Sequence, residues 1–102
     1  MNADDVRHFR TMLAIGAKRF KHYPALARER GWEGTAEVAV DFRRMLPEPE
    51  IALAVSSGRK VLDDQALEMI RRSVRLTGVP AGMKGKDFRV LMPVTFSLEE
   101  DG

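Results

Sequence analysis

At 102 residues and a net charge of +2, the chain has room for one domain and lacks the strong basic excess of a nucleic-acid binder. Its 44% hydrophobic and 31% charged residues exclude a disordered polypeptide. The absence of cysteine excludes a disulfide framework and thiolate chemistry, and no apolar run approaches the roughly 20 residues of a membrane-spanning helix.

The start, Met1 to Asp5, carries no signal-peptide pattern, so the chain alone reads as cytosolic or as part of something longer. Val6, Phe9, Leu13, Ala17 and Phe20 recur at steps of three and four, which predicts an amphipathic helix over 4–21. Asp4 and Asp5 at its start and Lys18 and Lys21 at its end suit the helix dipole. Pro24 forces Tyr23 out of helical geometry and opens a second, short helix that stops at Gly31.

After Gly34, the residues Ala36, Val38, Val40 and Phe42 alternate with Thr35, Glu37, Asp41 and Arg43, the pattern of a half-buried strand. The two prolines of Leu46-Pro-Glu-Pro-Glu50 make a turn, and Ile51, Leu53 and Val55 predict a second half-buried strand antiparallel to the first. Asp63 is the expected N-cap of a third helix through Ala66, Leu67, Ile70 and Val74, ended by Gly78 and Pro80. A Gly/Lys loop then leads to a last strand with Phe88, Val90, Met92, Val94, Phe96 and Leu98 on one face. Residues 99–102 are expected to fray. The order α-α-β-β-α-β implies an α+β fold, a small three-stranded antiparallel sheet with helices on its apolar face.

No catalytic or metal constellation emerges. His8 and His22 lack partners at ligand spacing, adjacent Asp63 and Asp64 diverge on a helix, and Ser56 and Ser57 have no nucleophile-elbow context. An enzyme is therefore not expected, nor a cofactor. Gly82-Met-Lys-Gly85 matches the GxxG of KH domains, and with Arg71, Arg72 and Arg75 of the third helix it supports an alternative reading as a small nucleic-acid-binding module. That loop belongs between two helices, however, and here it lies between a helix and a strand.

The last strand has the composition of a sheet edge, because Pro93 cannot donate to a ladder on both sides. With Pro93 facing away from the neighbouring strand, Leu91, Thr95 and Ser97 also turn their backbone groups outward, and Val90, Met92, Val94 and Phe96 bond inward. Such an edge is either protected or used to accept an extended peptide by strand addition. A covering helix or a second copy of the chain, paired as a homodimer, would equally satisfy it.

Three stretches resemble the TonB C-terminal domain family. They are Tyr23-Pro24 followed by a short Ala/Arg-rich helix, Gly31 and an alternating strand; Ser56-Ser-Gly58 followed by Leu62-Asp63; and the ending Arg89 to Leu98. Together they span about residues 23–98, with an amphipathic helix over 1–22 in front, as in a subset of the family. The chain departs from the pattern at Leu46 to Glu50, at Leu76 to Pro80, and at Phe20, where well-known members carry a receptor-contacting Gln.

The resemblance implies a periplasmic, energy-coupling role without catalysis. It implies an anchor in the inner membrane and an ExbB/ExbD-type motor acting through segments outside this chain. The partner would be the TonB box of an outer-membrane transporter for siderophores, haem or vitamin B12. The contact strand would be Arg89, Val90, Leu91, Met92, Pro93, Val94, Thr95, Phe96 and Ser97, with Phe20 and Tyr23 as additional contacts.

Overall fold

The structure is a computed structural model that describes the backbone of residues 3–101 and side chains as far as Glu99. Helix α1 (Ala3–Arg19) is followed by α2 (Ala25–Arg30), strands β1 (Gly34–Phe42) and β2 (Glu50–Val55), helix α3 (Lys60–Thr77), strand β3 (Phe88–Phe96) and a final helical turn α4 (Leu98–Asp101). The sheet order is β2-β1-β3, antiparallel throughout, so the expected α+β architecture holds and β3 is an edge.

The core follows the sequence periodicities. Phe9, Leu13 and Ala17 of α1 and Leu62, Ala66, Met69, Ile70 and Val74 of α3 bury against the alternating face of β1 and β3. Phe42 anchors one end of this layer, edge-on to Phe9 at 5.5 Å and stacked on Phe88 at 4.3 Å. Gly31 ends α2 in the left-handed conformation (φ 69°), which lets Trp32 donate its N–H to the Ala27 carbonyl at 2.8 Å.

Helices α1 and α3 pack closely at Gly16, where an added Cβ would lie 2.5 Å from the Ser73 Oγ. That hydroxyl is buried and donates to the Leu13 carbonyl at 2.7 Å. Gly16→Ala would gain about 1 kcal/mol of helix propensity. It would also push the hydroxyl off its acceptor and leave it buried and unpaired, at about 1–3 kcal/mol. The expected result in urea unfolding is a net loss of roughly 1 kcal/mol for Gly16→Ala, recovered in the Gly16→Ala/Ser73→Ala double variant.

Four expectations need correction. Asp63 does not cap α3, because the helix begins a turn earlier with Arg59 as its N-cap. Its carboxylate instead reaches back to the Ser56-Ser57 loop. Second, β2 is not half-buried: only Ile51 is partly covered, and Leu53 and Val55 are 37% and 50% exposed. A register shift between Glu37 and Val38 disrupts the pairing at its end, and the helical layer leaves this edge uncovered.

Third, Leu98 does not prolong β3. Its N–H is taken by the Glu33 carboxylate at 2.7 Å, and the chain turns there into α4. The described chain ends with this turn, and Gly102, the last residue of the 99–102 tail, lies outside the described residues. Fourth, the Gly82–Gly85 loop is not an open clamp: it contains a 3-10 turn, Ala81–Met83, whose Met83 is fully buried in the core.

Candidate functional site

The site is built on the outer edge of β3. Glu37 of β1 lies opposite Pro93, so that pair must be a non-hydrogen-bonded one, because proline has no N–H to give. By alternation, Val90, Met92, Val94 and Phe96 bond to β1 and also bury their side chains. Arg89, Leu91, Pro93 and Thr95 turn their main-chain groups away from β1.

Two side chains from the α1 region reach this edge. Arg10 donates to the Leu91 carbonyl at 3.2 Å, and Lys21 donates to the Thr95 carbonyl at 2.8 Å. Both bonds are solvent-exposed, and their acceptors are about 13 Å apart along an extended strand. Between α1 and the strand runs a cleft whose walls include Ala14, Ala17 and Lys18 on one side and Met92 to Thr95 on the other. The N-terminal helix and the residues just after it therefore blunt the edge at two points without pairing along it. In the sequence Lys21 reads only as a cation at a helix end, and Arg10 simply lies off the apolar stripe of that helix. Their reach to carbonyls more than 70 residues away is tertiary and leaves no local signal.

The candidate residues separate by environment. Arg89 is tied to Asp41 across the outer face of the sheet, at 2.6 and 3.2 Å. This hydrogen bond and the neighbouring negative charge hold its guanidinium above its already high pKa. Thr95 faces Thr35 at 3.1 Å between hydroxyls, and Leu91 is 39% exposed. Ser97 joins β3 to α4 and is partly buried.

Tyr23 packs into the core beneath β3. It is 7% exposed, its ring lies edge-on to Phe96 at 5.6 Å, and its hydroxyl donates to the Trp32 carbonyl. The Tyr-Pro signature thus fastens the segment before α2 to β3. Phe20 is partly buried against the core, with the Arg72 guanidinium 5.8 Å from its ring centre. Among the described residues, no group of three or more His, Cys, Asp or Glu is placed to hold a metal ion.

The sequence profile of the family described as "Gram-negative bacterial TonB protein C-terminal" matches residues 20–98. Among characterised proteins, the chain is similar to Protein tonB2 of Pseudomonas aeruginosa, with 41% identity over 78 residues, covering 74% of this chain and 28% of that protein. The chain thus spans little more than a quarter of that relative's length. An NMR solution structure of the Helicobacter pylori TonB C-terminal domain superposes with a TM-score of 0.74 at 23% identity, over 89% of this chain and 81% of that one. A second, shorter fragment of the same domain gives a TM-score of 0.66 at 25% identity, over 91% and 97%. The matched span takes in α2, α3 and the whole sheet with its β3 edge, and this chain belongs to the family of Gram-negative TonB C-terminal domains, the periplasmic portion of energy-transducing proteins.

Proposed function

We propose that this domain grips the TonB box of an outer-membrane transporter as an added strand on β3, and catalyses nothing. The observation that carries this reading is the state of the edge: among the described residues, its outward carbonyls at Leu91 and Thr95 are engaged by exposed side chains of Arg10 and Lys21. Exposed hydrogen bonds of this kind contribute about 0.5–1.5 kcal/mol each, so a strand offering N–H groups in series can displace them. The contact would run along Arg89 to Ser97 through the backbone, with Leu91, Pro93 and Thr95 facing the peptide and Phe20 near its end. Tyr23 supports the strand from beneath.

A strand pair suits force transmission. Several main-chain bonds share the load, and side-chain specificity stays loose. On this reading the domain couples an inner-membrane anchor and an ExbB/ExbD-type motor, both outside this chain, to uptake of siderophores, haem or vitamin B12.

The test is backbone NMR of the chain titrated with an extended, hydrophobic receptor-box peptide. Amide shifts concentrated on residues 89–97 are expected. A peptide that leaves those amides unmoved, or shifts only Arg71, Lys84 and Lys86, overturns the reading.

A further inference from the structure

We propose that the opposite edge of the sheet carries a second docking cleft, selective for an extended peptide rich in Asp or Glu. It is independent of the β3 reading, since β1 separates the two edges. The cleft, about 500 Å³, opens between β2, the second half of α3 and the segment after it. Ile51, Val74 and Val79 give it an apolar floor, and Arg71, Arg75 and Lys84 stand around it. Glu48 is its one carboxylate.

Two observations select the ligand. First, among the described residues the side chains of Arg71, Arg75 and Lys84 make no hydrogen bond or ion pair, whereas neighbouring Arg72 is paired with Glu68 at 2.8 Å. Three unpaired cations at one cleft favour an anion and disfavour a neutral or basic partner. Second, the main-chain groups of Ile51 and Leu53 face outward from β2. The bonding pairs of β1 with β3 fall at Val38 and Val40, so those with β2 fall at Ala39 and Asp41, opposite Ala52 and Glu50. An open strand edge is what an extended peptide uses.

Carboxylates on alternate residues of such a peptide lie about 6.6 Å apart on one face. Arg71 and Arg75, four apart on a helix, are separated by a comparable ~6 Å. A nucleic acid would also meet the cations, but no aromatic side chain lines the cleft to stack a base.

The experiment uses the intact chain and an end-capped ten-residue peptide of alternating valine and glutamate. Amide shifts at Ile51 to Val55, Val79 and Lys84, weakening as salt rises, are expected. Arg71→Glu/Arg75→Glu should lower affinity by about tenfold or more, since rim charges supply the attraction. Both arginines are exposed, so the unfolding midpoint should stay near that of the parent. The idea is overturned by any of four results. These are shifts confined to residues 89–97, equal binding of a valine–lysine peptide, unchanged affinity in the double variant, or tighter binding of an oligothymidylate of the same charge. A failed receptor-box titration at β3 would leave these outcomes unaffected, so the two readings fail separately.

Discussion

Asp63→Ala should destabilise the domain by about 2–3 kcal/mol at neutral pH, and the deficit should shrink in acid. Asp63 is 7% exposed and carries an unusual share of the β2–α3 connection. Its carboxylate accepts the Ser56 hydroxyl at 2.5 Å, the Ser57 N–H at 2.7 Å and the Ser57 hydroxyl at 2.6 Å. Bonds to a charged acceptor contribute about 1.5–3 kcal/mol each where both partners lack water, and truncation leaves the Ser57 N–H without its acceptor.

Burial alone would raise the Asp63 pKa. The hydrogen bonds from Ser56 and Ser57, with the Lys60 charge, outweigh it and hold the carboxyl below its ordinary value of 3.8. A folded-state pKa below the unfolded one gives stability that is complete above the unfolded value and lost as pH falls through the folded one. Urea denaturation of parent and Asp63→Asn chains should therefore show a gap at pH 7 that narrows below about pH 3.8. Equal midpoints at pH 7 would mean that the loop is held by something else. The Ser-Ser-Gly and Leu-Asp signature, on this account, fixes how β2 enters α3 and is structural.

The difference between Asp63 and Pro93 shows what a sequence carries. Pro93 constrains its own strand: the missing N–H fixes which residues face outward, and period-2 alternation propagates the choice over the nine residues of β3. Edge position and inward side chains were legible for that reason. Asp63 was misplaced because Asp before an apolar helical repeat fits the N-cap rule equally well, and only the folded loop shows the carboxylate turned back. For β2, alternation predicts two faces but not whether a helix lies over one of them. Leu53 and Val55 obey the pattern and still face solvent. The burial of Tyr23 was equally hidden: an aromatic before proline carries no local sign of whether its hydroxyl finds a carbonyl nine residues on. The basic cluster at the β2 edge drew on Arg71, Arg75 and Lys84, which the sequence could name. Their convergence on one cleft depends on the path of the chain after Gly78.

The sharpest separation of fold from binding comes from proline substitutions at two positions three residues apart in β3. Leu91→Pro removes an N–H that points away from β1, as Pro93 already does, so the ladder to Ala39 and its neighbours should persist. The change should leave the unfolding midpoint close to the parent's, apart from the loss of a 39% exposed side chain. To an incoming strand, however, it offers one donor fewer and a ring projecting into the pairing plane. Affinity for a receptor-box peptide should fall by about tenfold or more, the equivalent of a lost bond plus a steric wedge. Val94→Pro is the counterpart. Its N–H points to β1 opposite Ala36, and its side chain is 5% exposed. Removing that bond and forcing a ring into the ladder should cost about 3 kcal/mol or more, seen as loss of cooperative unfolding or a steep drop in midpoint. If Leu91→Pro binds as the parent does, β3 is not the grip. If Val94→Pro folds unchanged, the β1–β3 pairing does not have this orientation. Only an edge read through its backbone gives a folded, non-binding chain in the first case and a failed fold in the second.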